Sequence, residues 1–297
     1  MQFGAVFPTT EIGNDPDSVR DYAQAAEALG CARLTTYDHV LGADHADRDP
    51  PLRGPYTQHD PFHEPLVLLG FLAAHTRSIE LATGVLVLPQ RQTALVAKQA
   101  AELDQLSRGR LVLGIGTGWN HVEYTALGTP FRNRARRFDE QISVLRALWQ
   151  EELVDISGDY HRIERACLVP RPERQIPLWF GGSAEPSLVR AASAGDGHIF
   201  AGNTDRHFAA AARLGELLDE RGRGRDTFGT DMFVDYAQGP DEWHDRAERW
   251  EAAGGTLMSM RSMTTGTEFL GVPSADLSGP REHIAALERF MAEMAPR

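Results

Sequence analysis

The sequence predicts an α/β protein that forms a single (β/α)8 barrel, or TIM barrel, and two observations support this fold class. Short apolar runs rich in β-branched and aromatic residues alternate eight times with longer stretches of helical period. An open doubly wound sheet rarely needs eight uninterrupted strand–helix units, so closure into a barrel is the better interpretation. Because no repeat, linker or low-complexity tract divides the chain, we expect one domain over residues 1–297.

Eight strands are predicted along the chain from its short runs of Val, Ile, Leu and Phe. Such runs are typical of parallel strands that are buried on both faces. In chain order they cover residues 3–7, 34–37, 79–88, 110–115, 177–180, 198–201, 232–236 and 256–260.

Each strand is followed by a predicted helix with an apolar stripe. The first helix begins after Asp15, which caps it, with Pro16 at the first helical position, and Gly30 ends it. Its apolar side chains recur at helical spacing, as at Val19 and Tyr22. The other helices are predicted at residues 65–75, 93–106, 134–149, 186–194, 206–220 and 242–252, and a last one ends at Met294.

Two segments are longer than ordinary connections in a compact domain. One covers residues 41–64 after the second strand, and the other covers residues 151–176 after the fourth helix. Long connections of this kind are usually functional lids or small insertions. The prediction is therefore a barrel with one insertion after strand two and another after helix four.

Composition excludes several classes of partner. Thirty basic and 42 acidic residues give a net charge of −12, which disfavours nonspecific binding to nucleic acid or anionic membrane. The longest apolar stretch covers residues 66–74, far short of the ~20 residues of a spanning helix, and residues 1–15 lack a signal-peptide pattern. Cys31 and Cys167 form no metal or redox motif. We expect a cytoplasmic protein that acts on a small molecule.

Two glycine-rich turns lie where barrels carry their active sites, at the carboxyl ends of strands. They are Gly114-x-Gly116-x-Gly118 after strand four and Gly181-Gly182 after strand five, and each opens onto a helix. Their backbone N–H groups can clamp a phosphate or an oxyanion, although each turn can also be a plain tight corner. The first lacks the spacing and the acidic partner of a dinucleotide-binding fingerprint.

The loop after strand two is dense in groups that can bind metals. These groups crowd into one proline-rich polar loop, whereas a metal-dependent barrel hydrolase draws its ligands from several strand ends. We therefore expect a solvated lid and no metal site, and no nucleophile elbow supports a covalent hydrolase. The groups are Asp44, His45, Asp47, Asp49, His59, Asp60, His63 and Glu64.

Four segments share the pattern of a known family. They are IELATGVLVLPQRQTALVAKQAAELDQLSRGRLVLGIGTGWNHVEYTALG at residues 79–128, YDHVLG at 37–42, DPFHEPLVLLGFLAAHT at 60–76 and PLWFGGSAEPSLVRAASAGDGHI at 177–199. Together they resemble the bacterial luciferase-like monooxygenase superfamily, and most closely its oxidoreductases that depend on the deazaflavin coenzyme F420. The resemblance covers about residues 1–202.

The resemblance implies a cofactor site. In this family a bulge in strand three, often with a cis peptide bond before a residue other than proline, presses against the flavin ring, with Val85 here as the backstop. The phosphate of the cofactor lies on the turn after strand five. The matching residues are Thr83, Gly84 and Val85 in the bulge, Gly181, Gly182, Ser183 and Ala184 in the phosphate turn, and Gly116, Thr117, Gly118, Trp119 and Asn120 in a second wall.

Asp38 and His39 match an active-site Asp-His pair of the deazaflavin-dependent relatives. The resemblance implies that Asp38 holds the ring edge and that His39 donates a hydrogen bond or proton near the hydride-transfer centre. The alternative is a pair that only shapes the loop. The expected substrate side consists of Phe7, Tyr56, His63 and Trp119.

The resulting hypothesis is an oxidoreductase that transfers hydride between coenzyme F420 and an unidentified small organic substrate. Trp119 stands where sugar-phosphate dehydrogenases of the family commonly carry an acidic residue, which puts a glucose-phosphate substrate in doubt. Arg91 or Arg137 could help an acidic protein to bind the anionic cofactor. The alternatives are an FMN-dependent monooxygenase that uses reduced flavin and oxygen, a non-catalytic flavin-binding protein and, third, a metal hydrolase. The family often forms homodimers.

Overall fold

The predicted barrel is present in the computed structural model, which describes residues 1–294. Within these residues eight parallel strands close into a barrel, and each strand pairs with the next one along the chain. Gln2 beside Leu257 and Ala5 beside Met260 close the ring between the first and last strands. The barrel strands are β1 (Gln2–Val6), β2 (Arg33–Tyr37), β3 (Glu80–Val87), β4 (Leu111–Gly116), β7 (Leu178–Gly181), β8 (Gly197–Phe200), β9 (Gly229–Asp235) and β10 (Leu257–Arg261).

A helix follows each barrel strand, as predicted. Asp15 caps the first of them by accepting a hydrogen bond of 3.1 Å from the Ser18 backbone N–H, and Glu64 caps the second through the Val67 N–H. The eight helices are α1 (Pro16–Ala28), α2 (Pro65–His75), α3 (Thr93–Leu106), α5 (Arg134–Gln150), α6 (Glu185–Ala194), α7 (Asp205–Glu220), α8 (Pro240–Ala252) and α10 (Pro280–Met294).

Four short elements are absent from the sequence prediction. Strands β5 (Val154–Ser157) and β6 (Arg162–Ala166) form an antiparallel hairpin within the second insertion, and helices α4 (His121–Ala126) and α9 (Thr267–Leu270) lie beside the carboxyl ends of the barrel strands. These elements have four to six residues each and little apolar periodicity, so hydrophobic pattern does not reveal them.

The interior of the barrel contains a polar layer and an apolar cluster. Near the amino ends of the strands, the Arg33 guanidinium lies 3.9 Å from the ring centroid of Trp179, and Ser259 donates a hydrogen bond of 2.9 Å to Asp231. Burial raises the pKa of Asp231 to about 6. A cluster of buried apolar side chains, including Ala82 and Phe233, also fills the barrel.

The first insertion folds over the carboxyl ends of the strands, whereas the second packs against the side of the barrel. Glu140 on α5 accepts hydrogen bonds from the backbone N–H groups of Asp159 and Tyr160, which hold the β5–β6 hairpin in place. Among residues 1–294, no helix combines the length and the apolar character needed to cross a bilayer. A single domain over residues 1–297 stays a prediction, and residues 295–297 lie outside the described chain.

Helices α2 and α3 carry an apolar face that the chain itself does not cover. Val67 and Phe71 lie one turn apart on α2, and Leu95 and Leu106 lie three turns apart on α3. The two helices pack against each other, so the four exposed apolar side chains lie on neighbouring helices at the outside of the barrel. Contiguous apolar surface on an acidic protein is typical of a protein interface.

We expect this α2–α3 face to form the predicted homodimer. Val67 is 71% exposed, so Val67→Glu places a charge on the interface without disturbing the core and should yield monomers. Size-exclusion chromatography with light scattering measures the mass. Val169, which is 74% exposed elsewhere, supplies the matched control Val169→Glu, which should stay dimeric. A monomeric wild type, or a dimeric Val67→Glu variant, contradicts the assignment.

Candidate active site

A cavity of about 310 Å3 opens at the carboxyl ends of the barrel strands. Larger depressions, of about 600 and 740 Å3, lie on the side of the barrel and at the amino ends of the strands, where barrel enzymes do not place their chemistry. Ten of the predicted site residues line the cavity: Asp38, His39, Tyr56, Val85, Gly116, Thr117, Gly118, Trp119, Gly181 and Gly182.

The floor of the cavity is a β-bulge that presents Val85. Thr36 pairs with Thr83 and Tyr37 pairs with Val85, so Gly84 is the extra residue that has no partner on β2. The predicted bulge is therefore present. The cis peptide bonds within residues 1–294 are Asp49-Pro50 and Val169-Pro170, so the expected cis bond in the bulge is wrong.

The glycines of both turns make room for this bulge. A Cβ atom on Gly116 would lie 2.4 Å from Val85 Cγ1, and one on Gly181 would lie 2.3 Å from Val85 Cγ2. A Cβ atom on Gly114 would lie 1.9 Å from the Thr83 carbonyl oxygen. Steric fit to the bulge thus requires glycine at these three positions, independently of any bound anion.

Asp38 is buried and its carboxylate is already engaged. One oxygen accepts a hydrogen bond of 2.6 Å from Arg91, and the other accepts one of 2.8 Å from the Val87 backbone N–H. Arg91 also donates to Glu64, at 2.9 Å, and so links β2 and β3 to the start of α2. Asp38 therefore positions the floor of the cavity. Both of its oxygens already accept hydrogen bonds from the protein, so the contact with the ring edge that the resemblance implied stays a prediction.

His39 lies in the cavity wall beside the carboxylate of Glu123, which was not among the predicted site residues. Its Nδ1 is 3.3 Å from Glu123 Oε2, and Glu123 Oε1 accepts hydrogen bonds of 2.6 and 3.0 Å from the N–H groups of Val40 and Leu41. Because a carboxylate only accepts hydrogen bonds, Nδ1 carries the proton and Nε2 is the nitrogen left for chemistry. The spacing of Asn120 and Glu123, typical of a helix start, could have revealed α4 and Glu123.

Aromatic side chains of the first insertion and of the turn after β4 surround His39. The ring centroids of Tyr56, Phe62 and Trp119 lie 5.1, 4.8 and 5.5 Å from that of the imidazole. Gly54 packs so closely on the Trp119 indole that a Cβ atom there would lie 2.3 Å from it. The insertion is therefore a packed lid, and Trp119 belongs to the wall of the cavity as predicted.

His198, beneath the turn after β7, supports that turn. Its Nε2 lies 2.8 Å from the Gly182 carbonyl oxygen, so Nε2 carries the proton. Burial lowers the pKa of His198 to about 4, so the imidazole is neutral at neutral pH. A neutral donor fixes Gly182, whose φ of +107° favours glycine.

Seven predicted site residues do not line the cavity. Phe7 is wrong as a substrate contact because its ring packs edge-on against Tyr22 in the core, and the His63 imidazole lies 3.1 Å from the Gly13 carbonyl oxygen. Asn120 caps α4 with its side chain. The others are Thr83, which bonds to the Gly114 carbonyl oxygen, Gly84 in the backbone of the bulge, and Ser183 and Ala184 at the start of α6.

Seven further residues line the cavity, and none of them was among the predicted site residues. They are Tyr37, Pro55, Val87, Glu123, Ala201, Arg261 and Leu270. Arg261 is the last residue of β10 and its side chain is 3% exposed. The resemblance ends near residue 202, so only the closed barrel brings this arginine to the cavity.

Comparison with known proteins gives a family model and several relatives. A model described as luciferase-like monooxygenase matches residues 1–293. A Mycobacterium tuberculosis protein described as uncharacterized is 34% identical over 209 residues, which are 68% of this chain and 71% of that protein. The F420-dependent glucose-6-phosphate dehydrogenase of Microbacterium testaceum is 30% identical over 256 residues, which are 83% of this chain and 70% of the dehydrogenase.

Solved structures share the fold at low sequence identity. Monooxygenase RslO1 from Streptomyces bottropensis aligns over 100% of this chain and 99% of its own, with 18% identity and a TM-score of 0.75. An F420-dependent secondary alcohol dehydrogenase, in complex with an F420-acetone adduct, aligns over 99% and 98%, with 17% identity and a TM-score of 0.74. At this identity the likeness concerns the fold.

The contact between Val85 and Gly116 predicts a measurable steric cost. Gly116→Ala should lower the free energy of unfolding by about 1–3 kcal/mol, the usual cost of overpacking, and most of that loss should vanish in a Val85→Ala background. Urea unfolding measures both. Gly70→Ala is the control: no described atom lies within 4 Å of a Cβ there, within helix α2, so it should stabilise slightly. An equal loss of unfolding free energy in the wild-type and Val85→Ala backgrounds would refute the steric contact between Val85 and position 116.

The Glu123 contact predicts the tautomer of His39. Nitrogen-15 NMR at pH 9 should show Nδ1 of His39 protonated in the wild type. In Glu123→Gln, the amide oxygen still accepts from the 40–41 backbone, so the amide nitrogen faces His39 and should shift the proton to Nε2. His59→Asn, on the exposed lid, is the control that should leave the His39 signals in place. Nε2 protonation in the wild type contradicts the pairing.

Proposed function

Because this chain belongs to the luciferase-like monooxygenase family, we propose that it is an oxidoreductase that binds coenzyme F420 in the cavity and transfers hydride between this coenzyme and a small organic substrate. The observation that carries the proposal is the Val85 bulge, which forms an apolar floor between the two glycine turns in the same cavity that His39 lines. Relatives named F420-dependent glucose-6-phosphate dehydrogenase, at 30% and 32% identity, favour the deazaflavin.

The residues of the cavity fit a flat ring with an anionic tail. Val85 and Val87 offer apolar side chains to a ring face, and the backbone at residues 116–118 and 181–182 leaves room at its edges. Helix α6 begins at Glu185, and its N-cap Ala184 offers no side-chain cap. Because Pro186 carries no N–H, the backbone N–H groups of Ser183, Ala184 and Glu185 are the ones that can bind the phosphate, which gives Ser183 and Ala184 their proposed role. When bound, the coenzyme accepts or donates the hydride.

The proton that accompanies hydride transfer is assigned to His39. Glu123 holds the proton on Nδ1, which leaves Nε2 to exchange a proton with an oxygen of the substrate. Glu123 is itself fixed by two backbone N–H groups, so the pair is oriented before the substrate binds. Tyr56 and Phe62 of the packed lid, together with Trp119 of the cavity wall, shield this exchange from water.

An FMN-dependent monooxygenase is the second candidate function. It is favoured by the description of the matching family model. Both functions need a flat ring site, and they differ in the cofactor and in the use of oxygen. A non-catalytic flavin-binding protein would share the cavity as well, but it would not need the oriented His39–Glu123 pair.

Cofactor titration should separate these functions. We expect the purified protein to bind coenzyme F420 at micromolar or lower concentration and FMN at least tenfold more weakly, as measured by coenzyme fluorescence. Val85→Ala removes part of the floor and should weaken F420 binding about fivefold, whereas Val169→Ala should not.

Tight FMN binding without F420 binding would overturn the deazaflavin assignment in favour of the monooxygenase. If F420 binds but the reduced complex transfers hydride to no member of a panel of ketones, aldehydes and enones, the result would support a non-catalytic flavin-binding protein. Equal affinities of the Val85→Ala and Val169→Ala variants for F420 would remove Val85 from the site.

A further inference from the structure

A buried ion pair forms one wall of the cavity. Arg261 ends β10 and Asp235 ends β9, and the two residues are neighbours in the register of the barrel. Arg261 Nε donates a hydrogen bond of 2.6 Å to Asp235 Oδ1, and Nη2 lies 2.5 Å from the same oxygen. The two side chains are 3% and 2% exposed. The pair thus places one positive and one negative charge together inside the protein.

The guanidinium keeps hydrogen-bonding capacity on the cavity side. Arg261 Nε is hydrogen-bonded to Asp235, whereas Nη2 makes no well-oriented hydrogen bond to residues 1–294. The Tyr37 hydroxyl lies beside this guanidinium and is likewise buried, with no well-oriented hydrogen bond within the described chain. Both side chains line the cavity. Buried donors that the fold leaves unsatisfied are expected to meet an acceptor on a ligand.

The charges around the cavity decide which acceptor fits. Among the described residues that line the cavity, Arg261 is the only lysine or arginine, and the charge of Asp235 already balances it. Glu123 adds a buried carboxylate to the same cavity. A carboxylate or phosphate group at Arg261 would therefore add negative charge that nothing neutralises, which is costly in a buried site. A neutral carbonyl oxygen satisfies the donors and leaves the pair balanced.

We propose that Arg261, balanced by Asp235, binds a neutral carbonyl oxygen, so that this wall of the cavity selects ketones, esters or amides over carboxylates and phosphates. This inference rests on the proposed function, and it narrows the substrate class where the carbonyl belongs to the substrate. The carbonyl belongs either to the substrate or to the ring of the coenzyme, and the hydrogen-bonding chemistry is the same in both cases. Asp235 acts as a positioning and charge-setting residue, since its role is exerted through Arg261.

Acetophenone and benzoate are suitable probes because they share a flat aromatic frame and differ in charge. Ligand-observed NMR titration of the full chain at pH 7.5 should show that acetophenone binds at least tenfold more tightly than benzoate. Ethylbenzene, which lacks the oxygen, should bind about as weakly as benzoate or more weakly.

The Asp235→Asn variant gives the decisive comparison because the proposal predicts that this variant gains affinity for benzoate. Removing the balancing charge leaves Arg261 as an uncompensated cation, so benzoate affinity should rise at least tenfold, while acetophenone affinity should change less than threefold. Asp226→Asn, on a turn distant from the cavity, is the matched control and should change neither affinity. A merely structural role for Asp235 would weaken both probes and would not raise the affinity for benzoate.

If the wild-type protein binds benzoate as tightly as acetophenone, or more tightly, the inference is overturned. This comparison uses only the wild-type protein, so it does not depend on whether a variant folds. Unchanged benzoate affinity in folded Asp235→Asn overturns it as well. Titration with saturating coenzyme F420 identifies the source of the carbonyl: displacement of acetophenone assigns it to the coenzyme ring, and a ternary complex assigns it to the substrate. Failure of F420 to bind would refute the proposed function while leaving the probe preference intact, so the two failures are distinguishable.

Discussion

The site depends on the fit of one side chain between two glycine backbones. Val85 occupies the space that a Cβ atom on Gly116 or Gly181 would need. The Thr83 carbonyl oxygen likewise occupies the space that a Cβ atom on Gly114 would need. This packing explains why β3 can insert an extra residue without breaking the closed barrel. It also explains why the turns after β4 and β7 are rich in glycine. The flat apolar floor, and the open backbone beside it, follow from the same contact.

Buried carboxylates then hold the surrounding loops in place. Asp38, through Arg91 and the Val87 N–H, fixes the end of the bulged strand, and Glu123 fixes the start of the lid through the N–H groups of residues 40 and 41. Each of these carboxylates meets a cation or several backbone donors, as a buried charge must. The loops of the site therefore rest on a rigid scaffold, which is what precise orientation of His39 requires. A third carboxylate, Asp235, sets the charge of the opposite wall.

The sequence predicts the barrel well because buried strands and amphipathic helices have distinct periods, and all eight pairs are present. The β5–β6 hairpin is missed because its strands have only four and five residues, so the alternation at Val154 and Ile156 is too short to stand out. At the site, motif and resemblance lead to His39, Val85 and Trp119, all of which line the cavity. Phe7 is misplaced because strand-end position does not tell which face a side chain takes. Arg261 escapes notice because its place in the cavity depends on barrel closure across more than two hundred residues.

The most direct test of this cavity as the ring site is valine methyl NMR during titration with coenzyme F420. A ring bound on the bulge would shift the Val85 methyl resonances strongly through its ring current, and those of Val87 less, while Val169 on the barrel side would stay unchanged. The contradicting result is saturable F420 binding that leaves Val85 unperturbed and moves Val144, in the groove beside the β5–β6 hairpin.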